Sequence, residues 1–156
     1  MAPKAIRVAL SSADPYLATR RTCNTSVTRQ PFYPLSQINY LYNDVGNLGN
    51  PQVYKDAILK GPIVVRVRAD TSQWQNYSSG VLNDPGCYGN SGKWNHAVVI
   101  VGVGYDAVAN LDYFLIRNSW GKTWGEAGYI RIAMTDSGYG ICGQHVQGWN
   151  ITMKTI

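Results

Sequence analysis

Apolar and polar residues alternate in the second half of the chain, and this alternation predicts strands. Residues 63–69, I-V-V-R-V-R-A, alternate at their centre, which indicates a strand with one face on a core. Three further strand patterns cover residues 97–105, 112–117 and 128–133, separated by clusters of Gly, Asn and Asp. This spacing of strands and turns favours an antiparallel barrel or sandwich over strand–helix–strand units.

One short helix is predicted before these strands. Residues 51–61, P-Q-V-Y-K-D-A-I-L-K-G, have proline at the start, apolar residues at helical spacing and glycine at the end. Residues 1–50 are interrupted by prolines and end in a run of Asn and Gly, so they predict mostly loop with one strand. We expect the one internal boundary at residues 46–50.

Composition narrows the class of protein. The chain has 156 residues, 45% of them apolar and 15% charged, which is typical of an ordered globular protein. The net charge is +5, but the 14 Lys and Arg are scattered, with Arg20-Arg21 the only adjacent pair, which argues against nucleic-acid binding. The longest apolar run, residues 97–103, is strand length, so no membrane span is expected.

Two features bear on the cellular route. Residues 1–10 have scattered charges and no apolar stretch, so a signal peptide is expected to be absent or already removed. Asn24, Asn76 and Asn150 each begin an acceptor pattern for N-glycosylation, which would imply a secretory route.

The candidate chemistry lies in three blocks. His96, one of two histidines, stands in W-N-H-A-V-V-I-V-G, where a lone histidine is ordinarily a structural residue. Residues 112–132 read D-Y-F-L-I-R-N-S-W-G-K-T-W-G-E-A-G-Y-I-R-I, and G-I-C-G follows at residues 140–143. Together, over about residues 14–150, these blocks resemble the C-terminal half of the papain and cathepsin L family of cysteine peptidases.

The resemblance implies a fold. It implies an α+β protein equivalent to the family's right-hand domain, an antiparallel β-barrel or sheet with short helices. Residues 1–50 would be a mostly irregular remnant of the family's first domain, and residues 51–156 would form the β-rich C-terminal domain. The helical part that carries the family's nucleophile would be absent.

The resemblance also implies catalytic roles. His96 corresponds to the catalytic histidine, Asn118 to the asparagine that orients it, and Trp120 to the indole that covers their hydrogen bond. A thiol with a pKa near 8.5 is a poor nucleophile until a base removes its proton, which is the role of such an imidazole. An amide oxygen on the other imidazole N–H would fix the tautomer and the ring angle.

The sequence departs from the family at the nucleophile. The family places its cysteine, and a glutamine of its oxyanion hole, in a Q-G-x-C-G-S-C-W stretch, and this sequence contains no such stretch. By resemblance Cys87 and Cys142 form a disulfide. Cys23 matches a cysteine whose partner lies in the absent part, so we expect it to be bonded to another chain or free and buried.

A second departure concerns the pocket for the second substrate side chain. The resemblance places Arg66, Trp94, Asn95 and Ala97 at its walls, where a small apolar cavity is usual. Either the pocket selects acidic side chains, or the indole and the guanidinium stack and fill it. Alternatively, Arg66 points to solvent from its alternating strand.

These expectations lead to two competing functions. In one, the chain is the His/Asn half of a papain-like peptidase, inactive alone, completed by a separate chain with the Cys nucleophile and linked through Cys23. It would then act on protein or peptide substrates in a lysosome, a vacuole or the extracellular space. In the other, it is a catalytically dead descendant with a structural or binding role. A glycan- or peptide-binding module ranks last, and neither a cofactor nor a metal is expected.

Overall fold

The structure is a computed structural model that describes residues 6–10, 12–15, 17, 19–32, 35–42, 50–87, 93–135, 138–145 and 147–153. Within these residues the elements are, in chain order, β1 (Ile6–Ala9), β2 (Arg29–Phe32), β3 (Leu35–Tyr42), α1 (Gln52–Ile58), β4 (Ile63–Val67), α2 (Ser72–Gln75), β5 (Val81–Leu82), β6 (His96–Asp106), β7 (Leu111–Arg117), β8 (Tyr129–Ala133) and β9 (Gln147–Met153).

Seven of the described strands form one sheet. Their order is β3-β9-β4-β6-β7-β8-β5, and every neighbouring pair is antiparallel except β5 and β8, which are parallel. Strands β1 and β2 form a separate two-stranded antiparallel sheet. The fold is therefore the expected α+β arrangement, with an open mixed sheet and short helices.

The sequence patterns predicted some elements and missed others. The helix and the four strands expected after residue 50 are all present as α1, β4, β6, β7 and β8. Residues 1–50 contain three strands instead of one, and β3 pairs along its length with β9, which was not predicted either. The turn-prone residues 43–49, where the boundary was expected, lie outside the described residues.

One face of the sheet carries the core. Cross-strand pairing places Ile63, Ile100, Ile116 and Ile130 side by side on β4, β6, β7 and β8, and all four are fully buried. Helix α1 covers this face through Tyr54, whose buried ring meets Phe114 edge-on at 6.2 Å. Side chains on this face are therefore held by close packing.

The neighbouring row of side chains points to the other face. Val64, Val99, Arg117 and Tyr129 are paired across the same four strands, and Trp149 on β9 extends the row. These side chains are half-buried, or in the case of Arg117 exposed. With Tyr40, which pairs with Trp149 and is 49% exposed, they define what we call the open face.

The chain end of β9 also fixes helix α1. Asn150 lies opposite Ile63 and is only 2% exposed. Its Nδ2 donates to the carbonyl oxygens of Ala57 and Gly61 at 3.3 and 3.1 Å, at the point where α1 ends. This side chain therefore satisfies carbonyls that a helix end leaves without partners.

Among the described residues, none of the helices has the length and apolar character needed to cross a membrane.

Candidate active site

His96 and Asn118 meet at one end of the sheet. His96 is the first residue of β6, and Asn118 directly follows β7. Because β6 and β7 pair with Val99 opposite Arg117, the two side chains come together on the buried side. His96 Nε2 lies 2.8 Å from Asn118 Oδ1, and Asn118 is only 7% exposed.

A backbone hydrogen bond fixes the orientation of the Asn118 amide. The N–H of Ser119 donates to Asn118 Oδ1 at 2.8 Å, so the atom that faces His96 must be the oxygen. A carbonyl oxygen can only accept, so the proton on the imidazole is on Nε2. In the neutral ring Nδ1 is therefore the unprotonated nitrogen, which is the arrangement that a general base requires.

Aromatic rings enclose this pair. The Trp120 ring lies 5.3 Å from the His96 ring and is 38% exposed, so it forms the outer wall. Trp74 on α2 is fully buried and meets His96 edge-on at 6.2 Å, while its ring stacks on Trp124 at 5.6 Å. Apolar walls keep water from the hydrogen bond and strengthen it.

The sequence gave no signal for Trp74. Helix α2 has four residues, too few to show a helical period, and its role arises from a contact with a strand that begins 22 residues later. The Thr71 Oγ1 accepts from Trp74 N at 3.4 Å and lies 3.1 Å from Cys87 Sγ. This cap holds Trp74 beneath the imidazole.

The site includes buried donors without acceptors. Asn118 Nδ2 and the indole Nε1 atoms of Trp74 and Trp124 have no hydrogen-bond partner among the described residues. Leaving a buried donor unsatisfied costs about 1–3 kcal/mol each. Such departures from the best folding arrangement occur at functional sites.

The loop after Asn118 depends on glycine. Gly125 has φ of +55°, and a Cβ there would lie 2.5 Å from the Tyr129 carbonyl oxygen. Gly128 has φ of +94°, and its carbonyl accepts from Asn118 N at 2.9 Å. These positions require residues without a side chain, and they bring the chain back onto the base of Asn118.

A charged network anchors the same loop. Arg131 donates two hydrogen bonds to Glu126, at 2.7 and 2.9 Å, and one to Asp106 at 2.6 Å. The Arg131 hydrogen bond holds the pKa of Glu126 below its ordinary value. Every charge in this network has a partner, so its role is structural.

The cysteines are divided as follows. Cys87 and Cys142 are joined in a disulfide, close to the cap of α2. Cys23 is free and exposed, which corrects the expectation that an unbonded Cys23 would be buried. No cluster of three possible metal ligands occurs in the part of the chain that the structure describes.

The candidate pocket residues form a small group beside His96. The Arg66 guanidinium lies 5.7 Å from the centre of the Trp94 ring, and its Nη1 donates to Gln147 Oε1 at 3.1 Å. Asn95 is exposed, but its Oδ1 accepts from Ala69 N at 2.8 Å. Arg66 is thus exposed and stacked on Trp94 at once, and Asn95 joins the end of β4 to the start of β6.

A groove of about 440 Å³ lies on the other side of Asn118. Its lining includes Ala97, Val99, Arg117, Ser119, Lys122 and Tyr129. We call it the basic groove, because it contains two cations and no acidic residue lines it. Val99, Arg117 and Tyr129 also belong to the open face, so the two surfaces are continuous.

The three glycosylation candidates differ in access. Asn24 and Asn76 are exposed. Asn150 is buried, with the Nδ2 that would carry a glycan bonded to the end of α1. The structure therefore contradicts the prediction for Asn150, because the folded site has no room for a sugar.

Comparison with known proteins gives consistent relatives. A sequence model described as papain family cysteine protease matches residues 3–149. Ananain of Ananas comosus is 34% identical over 137 residues, which are 87% of this chain and 36% of ananain. Cathepsin L of Sarcophaga peregrina is 42% identical over 86 residues, 54% of this chain and 24% of that protein.

Solved structures agree in fold. The bromelain protease of Ananas comosus, in complex with the E64 inhibitor, superposes with a TM-score of 0.73 at 35% identity. The match covers 94% of this chain and 63% of that protein. The chain thus spans about a third of the length of the curated relatives it matches, and under two thirds of this solved one.

Proposed function

The chain belongs to the papain family of cysteine proteases, and from this premise we propose that it supplies the His/Asn half of a Cys-His-Asn peptidase site. The observation that carries the proposal is the hydrogen bond from His96 Nε2 to an Asn118 oxygen whose orientation Ser119 fixes. This pairing leaves Nδ1 ready to accept a proton from a thiol.

The proposal requires a thiol from outside this sequence. Of the three cysteines, Cys87 and Cys142 are bonded to each other, and Cys23 is the remaining thiol. We propose that a partner chain carrying the family's first domain supplies the nucleophile, with Cys23 as a possible interchain link. An exposed, unbonded Cys23 is compatible with such a link.

The chemistry would be acyl transfer to the partner's thiol. His96 Nδ1 takes the thiol proton, and the thiolate sulfur forms a bond to the peptide carbonyl carbon. The imidazolium then gives this proton to the leaving amine as the peptide bond breaks. In the second half, His96 takes a proton from water, the hydroxide oxygen attacks the acyl carbon, and the proton returns to the sulfur as the acid leaves.

We further propose that Arg66 and Trp94 restrict the second side-chain pocket. The stacked pair narrows the space that a small apolar cavity would leave open, and the guanidinium that remains exposed favours an acidic side chain. In an active complex, peptides with Glu at this position should be cleaved faster than peptides with Leu. Arg66→Met should reverse this order.

Labelling with a thiol-directed, E64-type probe tests the proposal, because E64 is bound to the similar bromelain structure. The tagged chain is recovered from the cells that produce it, labelled and run on a non-reducing gel. A labelled partner that migrates with this chain is the expected result. In that complex His96→Ala should lower peptide hydrolysis by roughly 10³-fold or more.

A catalytically inert, structural or binding role is the second candidate. The absence of the Q-G-x-C-G-S-C-W stretch and the occupied Arg66–Trp94 pocket favour it. A single unlabelled species in the experiment above would support this role and reject the peptidase. We propose a secretory location, lysosomal, vacuolar or extracellular, for either role, supported by the exposed acceptor residues Asn24 and Asn76.

A further inference from the structure

The open face is an apolar sheet surface that the described residues do not cover. Trp149, Val64 and Val99 are half-buried on adjacent strands, directly beside a fully buried row on the opposite face. A sheet of this size ordinarily has its apolar face packed against another layer. Apolar surface that extends over several strands indicates an interaction site.

Charge at the end of the open face indicates the chemistry of the partner. Arg117 and Lys122 are both exposed in the basic groove. Among the residues that the structure describes, no carboxylate lies within 4 Å of either cation. The surface that fits here is therefore an apolar strip with carboxylates at one end.

The position of the groove ties this surface to the catalytic pair. Asn118 lines the groove with its backbone neighbours while its side-chain oxygen holds His96. Ala97, the residue after His96, lines it as well. A chain that fills the groove would therefore end beside the imidazole.

A second copy of this chain fits the surface poorly. In a two-fold dimer the same patch faces itself, so Arg117 and Lys122 of both copies would approach each other. Juxtaposed like charges cost several kcal/mol. A partner with the opposite charge has no such penalty.

From these observations, and resting on the proposed function, we propose that the open face and the basic groove dock the thiol-bearing partner. The apolar row supplies the contact area, and Arg117 and Lys122 bind carboxylates that set the register. This register places the partner's sulfur at His96 Nδ1.

Co-expression with a relative's segment tests the docking separately from catalysis. The probe is the part of the Ananas comosus bromelain protease that this chain does not match, with its nucleophilic cysteine changed to serine. Copurification through a tag on this chain is measured for the parent and for Arg117→Glu and Val99→Gln. Lys60→Glu and Val108→Gln are matched controls, since Lys60 and Val108 are exposed outside the open face.

We expect recovery of the segment to fall at least about tenfold for the two open-face variants and to stay unchanged for the controls. Circular dichroism establishes that each variant is folded. Equal recovery for all variants, or no recovery with the parent, would overturn the proposed docking surface. Self-association of the parent that Arg117→Glu abolishes would overturn it in favour of a homodimer.

The serine probe cannot form an acyl-enzyme, so docking and peptidase function are measured independently. Copurification without any peptide hydrolysis by the cysteine form would reject the proposed function and leave the docking surface standing. Hydrolysis that Arg117→Glu and Val99→Gln do not reduce would do the reverse.

Discussion

Acid should destabilise this fold through His145. The side chain is fully buried, between the Tyr54 ring at 5.8 Å and the Phe114 ring at 5.6 Å. Burial lowers the pKa of His145 from 6.5 to about 4, because the interior cannot solvate an imidazolium. The folded state therefore binds a proton later than the unfolded chain as the pH falls.

The sign and size follow from linkage. Above pH 6.5 the imidazole is neutral in both states, so His145 has no effect on the pH dependence. As the pH falls from about 7.5 to about 5.0, the unfolded chain gains the proton first, and the free energy of unfolding should decrease by about 2 kcal/mol. The loss continues until the pH reaches the folded pKa of about 4.

This window separates the histidine from the acids. The Arg131 hydrogen bond keeps the pKa of Glu126 below its ordinary value, and the Ala109 N–H does the same for Asp106. The stability that these carboxylates contribute is lost only as the pH falls below the range used here.

Urea unfolding at the two pH values is the assay. His145→Asn should remove most of the decrease, and His145→Gln serves if the smaller side chain fails to fold. His96→Gln is the matched control, since the chain has only two histidines, and it should keep the decrease. An unchanged pH dependence in both His145 variants would refute the reasoning.

Four further changes have defined outcomes. Asn150→Ala should lower the free energy of unfolding by about 1–3 kcal/mol in urea, because it leaves carbonyls at the end of α1 unpaired; unchanged stability would contradict this. Mass spectrometry of material from a glycosylating host should find no glycan on Asn150, and a glycan there would mean that β9 is placed wrongly. Replacing Cys87 and Cys142 by serine should cost about 4 kcal/mol, from a loop of 55 residues, and a loss below 1 kcal/mol would show that the unfolded chain is already constrained. In a completed complex, Asn118→Ala should slow acylation by about 10²-fold with little change in substrate binding, whereas a change in binding alone would exclude the orienting role.

Local alternation predicted the central strands because each carries its own burial signal. In β4, Ile63, Val65 and Val67 are fully buried and Arg66 is exposed, as the sequence pattern requires. Strands β3 and β9 were missed because they are stabilised mainly by pairing with each other, across more than a hundred residues. Such pairing leaves little local signal in either segment.

The candidate site divides in the same way. The resemblance of the N-S-W-G block singled out His96, Asn118 and Trp120, and the structure brings these three side chains together. Trp74 could not be found, because a four-residue helix has no period and its contacts are distant in sequence. Asn150 was misjudged because an acceptor pattern does not report burial.

The central claim is that Asn118 holds His96 with its proton on Nε2 and leaves Nδ1 as the base. Long-range ¹H–¹⁵N NMR of the folded chain at neutral pH measures the protonation of each imidazole nitrogen directly. The structure predicts a protonated Nε2 and an unprotonated Nδ1 for His96, with the preference lost in Asn118→Ala. A proton on Nδ1, or a tautomer mixture that Asn118→Ala does not alter, would contradict the account.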